Sequence, residues 1–308
     1  MPHTLDLQFL DRAGVIATAA IPCEDGVILV DPGPTSCLPA LTHALAAHGY
    51  GLGDVRALLI THIHLDHAGA SGTLAQAWPG LPVYVHAIGA KHLAQPEKLL
   101  ASATRLYGAD MDRLWGAFLA VPEASLRPLG GGESMAIGGR TFGVSYTPGH
   151  AVHHVSYLDT TDRIAYVGDT AGIAVGGYVL AATPPPDIDV ARWEESLTAI
   201  AALEPASLFL THFGLVRDAA AHLTRYRAVL RRSADRAREA LRAGGDEAAL
   251  TEAWVEWLRA DARTVVGEEA AAALEAAAPF DQIWQGVARY WRKRAEREGA
   301  GALDAPLP

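Results

Sequence analysis

The chain has little cysteine, no surplus of positive charge and no long apolar run, and each lack removes a class of protein. Cys23 and Cys37 are the only cysteines among 308 residues. They fit no metal-binding or redox spacing, so a cysteine-ligated zinc site and a disulfide scaffold are both set aside in favour of two half-buried thiols. Lys and Arg number 25 against 35 Asp and Glu, a net charge of −10. That balance argues against a nucleic-acid partner, because phosphate binding draws on a cationic surplus. No stretch approaches the roughly 20 apolar residues that span a bilayer. The opening Met1-Pro2-His3-Thr4-Leu5-Asp6 has neither the basic start nor the apolar run of a secretory signal. The expectation is a cytoplasmic protein with no membrane partner.

What is present points to a packed α/β protein, since half the residues are hydrophobic and only 19% are charged. Val15 to Ala20 and Val27 to Val30 read as a hairpin around Pro22 to Gly26, and a helix is expected from about Ser36 to His48. Ala57 to Ile60 reads as a short buried strand. A second cycle follows Gly130-Gly131-Gly132, with strands at Thr141 to Tyr146, Val155 to Leu158 and Ile164 to Val167, a helix over Ala191 to Leu203, and a strand at Ser207 to Leu210. Two such halves predict two sheets with helix-covered outer faces. From Val216 to about Arg297 the composition turns to Ala, Leu, Arg and Glu at helical spacing, which predicts three or four helices. Trp284, Val287, Ala288 and Trp291 make one stripe there, and the tail after Glu298 is expected to fray.

The chemistry is concentrated in Thr61-His62-Ile63-His64-Leu65-Asp66-His67, three imidazoles and a carboxylate directly after a buried strand. With 13 histidines in the chain, such a string arises by chance roughly once per thousand chains of this length. His62 and His64, two apart at a strand end, can project to one side and share an ion. Other ligand types end later apolar runs: His150 after Thr147-Pro148-Gly149, Asp169 after Val167-Gly168, and His212 after Leu210-Thr211. Strand ends on one rim are where separate segments converge on a shared site. The seven groups suffice for two metals with an open position. All are nitrogen or oxygen donors, which suit zinc and also admit iron or manganese.

These motifs, with Val30-Asp31-Pro32-Gly33, come in an order that resembles the metallo-β-lactamase superfamily over about residues 15 to 214. The resemblance implies a four-layer αββα sandwich over residues 1–214 and an all-helical extension over 215–308. It implies two Zn2+ per chain, with His62, His64 and His150 on one metal, Asp66, His67 and His212 on the other, Asp169 bridging, and Asp31 supporting the metal loop from behind. His64 stands where the diiron flavoprotein branch has a glutamate, and neither cysteine falls where many true β-lactamases place one. Thr170 to Tyr178 lacks the Gly-Cys-Gly-Arg-like loop usual in glyoxalase II and the persulfide dioxygenases. The Pro184-Pro185-Pro186 loop, Thr211-His212-Phe213-Gly214 and the helical tail look most like a glyoxalase-II-like group.

The implied activity is a dinuclear hydrolase. It uses a metal-bridging hydroxide, oriented by Asp66 and Asp169, on a carboxylic thioester, lactone or related ester. A mononuclear iron dioxygenase of the persulfide dioxygenase type and a phosphodiesterase are the alternatives. The expected partner is a small molecule; a homodimer stays open. His153, His154 and Tyr178 are candidates to touch substrate, and the helical tail is expected to cap the metal rim.

Overall fold

The computed structural model describes residues 1–304. Six strands form the first sheet in chain order: β1 (His3–Asp6), β2 (Ala17–Cys23), β3 (Gly26–Val30), β4 (Val55–Leu59), β5 (Val83–His86) and β6 (Leu126–Leu129). The second sheet is built from β7 (Ser134–Ile137), β8 (Arg140–Tyr146), β9 (Val155–Asp159), β10 (Ile164–Tyr166), β13 (Ser207–Leu210) and β14 (Gly214–Val216), in the order β14-β13-β10-β9-β8-β7. A separate hairpin, β11 (Ile173–Val175) with β12 (Tyr178–Leu180), leaves the second sheet after β10. Helices α1 (Leu38–Ala47), α2 (Leu65–Ala68), α3 (Ser71–Ala77), α4 (Ala87–Ala94), α5 (Glu97–Tyr107) and α6 (Met111–Trp115) belong to the first half; α7 (Val190–Ala202), α8 (Ala219–Ala243), α9 (Glu247–Ala277) and α10 (Phe280–Glu298) belong to the second.

Side-chain alternation assembles the layers. Along β3, Ile28 and Val30 enter a core shared with Phe142, Val155, Tyr157 and Tyr166 of the second sheet, while Val27 and Leu29 pack with Leu41 and Leu45 of α1. Along β10 and β13, Ile164, Tyr166 and Phe209 face the first sheet, while Ala165, Leu208 and Leu210 face α7 to α10. Successive residues of a strand point to opposite faces, so strands apolar at nearly every position must be covered on both. The αββα sandwich follows, as the resemblance implied.

Strand direction then sets where the site lies. β3 and β4 are parallel. β8 is antiparallel to β9 and β9 to β10, while β10 and β13 are parallel, so β8, β10 and β13 all run one way. Asp31, the His62–His67 loop, His150, Asp169 and His212 follow the C-terminal ends of β3, β4, β8, β10 and β13 respectively, on one rim.

The tail is three long helices, as expected, but two details differ. β14 pairs with β13 and straddles the 214/215 boundary, so the helices begin only at Ala219. Ala300–Leu303 forms a 3₁₀ turn in the segment expected to fray, and the rest of that expectation, 305–308, lies outside the described residues. No helix among the described residues is long and apolar enough to cross a membrane.

The tail tryptophans are spent on packing. Trp254, Trp284 and Trp291 are buried in one core with Trp193, Leu197 and Leu208 of the sandwich, and the Trp291 indole donates to the Ala234 carbonyl at 2.8 Å. Removing a fully buried aromatic costs about 3–5 kcal/mol. Trp284→Ala should therefore lose about that much in urea unfolding, with tail and sandwich melting in one transition. A loss below about 1 kcal/mol, or a separate tail transition, would show an independent appendage instead.

Candidate metal centre

The rim is organised around Asp31, which is fully buried and sits at φ 51 just after β3. Its Oδ1 accepts from the Thr61 backbone N–H at 2.8 Å. Its Oδ2 accepts from the Thr61 hydroxyl at 2.7 Å, the Thr211 hydroxyl at 2.8 Å and His67 Nδ1 at 2.8 Å. One carboxylate thus ties together the ends of β3, β4 and β13 and the short helix α2. Hydrogen bonds to an ionised acceptor are the strong kind, and four of them satisfy a buried charge.

The same network fixes the histidine tautomers. The Thr61 hydroxyl gives its one proton to Asp31, so it accepts from His62 Nδ1 at 3.1 Å. His150 Nδ1 donates to the Ala182 carbonyl at 3.0 Å and His212 Nδ1 to the Val15 carbonyl at 2.7 Å. In His62, His67, His150 and His212 the Nε2 lone pair is therefore turned inward, the arrangement that outer partners impose on metal-ligating histidines.

The inward atoms fall into two sets. His64 Nδ1 lies 2.9 Å from His62 Nε2 and 3.0 Å from His150 Nε2. One Nδ1 proton can serve at most one of those contacts. Asp66 Oδ2 lies 3.5 Å from His67 Nε2 and 3.3 Å from His212 Nε2. Asp169 reaches both sets: Oδ1 is 3.3 Å from His67 Nε2 and 3.5 Å from His212 Nε2, and Oδ2 is 3.4 Å from His150 Nε2. Nitrogens bound at 2.0–2.1 Å around one tetrahedral ion stand about 3.3 Å apart, so these spacings suit a metal. His67 Nε2 and Asp169 Oδ1 are moreover buried with no hydrogen-bond partner, an omission native interiors rarely tolerate without an ion or water. The donor set fits metal ions.

Electrostatics divide the set. Burial opposes the charge on His67 and His212, but the Asp66 and Asp169 carboxylates more than offset it and raise both toward the protonated form. A metal there would displace a proton. Burial holds His62 well below its ordinary pKa and His150 down at about 4, which keeps both neutral, the form that binds metal. Burial pushes the Asp66 carboxyl up, but His67 and His212 more than offset it and hold it at about 2. Gly168 lets this happen sterically: at φ 46, a Cβ there would stand 2.4 Å from the Thr61 hydroxyl and 2.7 Å from His154.

The other candidates divide. His153 lines the cavity beside the cluster and accepts from the Ile63 N–H at 3.4 Å. His154 is fully buried behind His62, stacked at 5.0 Å and 2.9 Å from the Thr147 hydroxyl, so it braces a ligand and does not face the cavity. Tyr178 is carried away by the β11–β12 hairpin, and its hydroxyl donates to Asp261 of α9 at 2.9 Å; the expectation that it touches substrate is corrected. Residues that sequence reasoning missed line the cavity: Tyr107 on α5, and Ala273 and Ala277 on α9. No helix was expected over α5, and the helical spacing read in the tail did not show which helices meet across the rim.

Fold and donor set together define an αββα protein with a rim cluster able to hold metal ions. The profile of the Metallo-beta-lactamase superfamily matches residues 23–212, and the chain belongs to that superfamily. It is similar to the metallo-beta-lactamase fold-containing protein ST1585 of Sulfurisphaera tokodaii, at 31% identity over 206 residues, 65% of this chain and 74% of that protein. The hydroxyacylglutathione hydrolase of Xylella fastidiosa is 31% identical over 157 residues, half of this chain, which spans 45% of that enzyme's length. The crystal structure of TTHA1429 from Thermus thermophilus, a metallo-beta-lactamase family protein, matches with a TM-score of 0.67 at 20% identity, covering 92% of this chain and 89% of that one. That likeness of fold takes in the helical tail as well.

Asp31→Asn puts an amide among groups that all donate. Metal affinity measured by chelator competition should fall about 10- to 100-fold, the usual consequence of losing an outer partner. Unchanged affinity would show that the loop holds itself.

Proposed function

We propose that the protein is a dinuclear metal hydrolase, with zinc as the metal, acting on a carboxylic thioester, lactone or related ester. The observation that carries this reading is the two-sided Asp169 carboxylate, one oxygen facing the His67 and His212 imidazoles and the other facing His150. His62, His64 and His150 would hold one ion, Asp66, His67 and His212 the other, and Asp169 would touch both. When bound, the metals supply an acidified water and an electrophile for the carbonyl oxygen.

The chain's own groups do the rest. Asp66 is ionised and about a quarter exposed to the cavity. With Asp169 it accepts hydrogen bonds from the attacking water and aims the lone pair at the carbonyl carbon. His153, on the cavity wall and held neutral by burial, is placed to contact the substrate. Apolar side chains of α5, α6 and α10 keep bulk water from the reacting groups. Apart from the groups that would hold metal, Arg12, Lys98 and Arg113 line the cavity beside Asp110 and Asp187. The walls thus add little of the cationic surplus that a phosphodiester draws on, and a carbonyl is favoured. The similarity to enzymes named for hydrolysis of an acylglutathione supports a thioester.

A side-by-side assay of metal-loaded protein should show thioesters and lactones cleaved faster than phosphodiesters, with no oxygen uptake. Asp169→Ala should lose turnover by about three orders of magnitude or more while still folding. Faster phosphodiester cleavage, oxygen consumption, or near-normal turnover in that variant would each refute the assignment.

A further inference from the structure

Two helices far apart in sequence present apolar stripes to the same empty space. On α5, Leu99, Ala103, Leu106 and Tyr107 follow the spacing of one helical face, and all border the cavity. On α9, Ala270, Ala273, Leu274 and Ala277 do the same. Such stripes ordinarily close on a packed neighbour. Here they border a cavity of about 1040 Å³, at the upper end of small-molecule sites. His64, Asp66, Asp169 and His212 line the same cavity, so it is continuous with the metal centre.

The α9 wall owes its place to Gly267, whose φ of 81 and ψ of 174 break the helix and start a new one at Glu268. A residue with a Cβ resists that conformation. Ala273 and Ala277, one turn apart and half-buried, expose only methyl groups to the cavity, and this keeps the space open. Leu10, Leu114 and Ile283 add further apolar wall.

Resting on the hydrolase reading above, we propose that the substrate's acyl group is a medium-length to long unbranched hydrocarbon chain, lying between α5 and the second half of α9. A polymethylene chain has no polar atoms to leave unpaired against these walls, and each buried methylene strengthens binding by up to about fourfold. Ala273 and Ala277 set the room available and so determine chain-length specificity.

Calorimetry with straight-chain carboxylates from butyrate to decanoate tests this without turnover. Affinity for metal-loaded protein should rise about two- to fourfold per methylene. Ala273→Trp and Ala277→Trp, each able to fill the cleft, should weaken decanoate binding at least tenfold with metal content unchanged. Each should also lower kcat/KM for a decanoyl thioester at least tenfold more than for a butyryl thioester. A flat chain-length series, or equal losses on both substrates in both variants, would overturn the proposal. A steep series in a protein that cleaves no thioester would uphold the chain-binding cleft and refute the hydrolase reading. Turnover of short thioesters with a flat series would do the reverse.

Discussion

The Asp31 carboxylate is the contact on which the rest of the centre depends. Two backbone segments from different sheets reach it, the one after β4 through Thr61 and His67 and the one after β13 through Thr211. A buried anion without partners is costly, and one with four donors holds those donors in place. Because Asp31 takes the Thr61 hydroxyl proton, His62 must present Nε2 to the site. Because it takes the His67 Nδ1 proton, His67 must do the same. The second sheet is tied in through Thr211, the residue before His212. One carboxylate therefore decides the tautomers of His62 and His67 in the first half and, through Thr211, helps to place His212 in the second.

The helical tail is joined to this centre rather than hung from it. His222 on α8 donates to the Ala171 carbonyl at 2.9 Å and the Trp193 indole donates to the Thr170 carbonyl at 2.7 Å, so helices on the outer face of the second sheet hold the loop that carries Asp169. The division of labour within the tail is chemical. Its large aromatics fill the core, where their area contributes most. Its alanines are left at the cavity, where small side chains leave space for a ligand.

The candidate metal ligands were legible in the sequence because four of the seven are local and the others end apolar runs. Three imidazoles and an aspartate within six residues are improbable by chance, and the strands that precede Asp169 and His212 are apolar on both faces. Less could be read where the signal was short or ambiguous. β6 contains Pro128 and lies at the edge of the first sheet, where a missing N–H leaves no neighbour unpaired, and no strand was expected there. β5 runs straight into α4, so four residues had to announce a strand unaided. Tyr178 stands nine residues after Asp169 in sequence, yet two glycines at 176 and 177 fold the segment back as a hairpin and send the tyrosine to α9. The cavity walls were invisible for a different reason. α5 was not expected at all, and α9 lies some 170 residues further on, where periodicity shows that the tail helices have apolar faces without showing what those faces meet.

Everything turns on Asp169 standing between two ions. Anomalous diffraction at the zinc edge, from crystals grown with zinc, tests that directly. The account predicts two peaks flanking the Asp169 carboxylate, one among His62, His64 and His150 and the other among Asp66, His67 and His212. A single peak under saturating zinc, or two peaks of which only one is within bonding reach of Asp169, would contradict it.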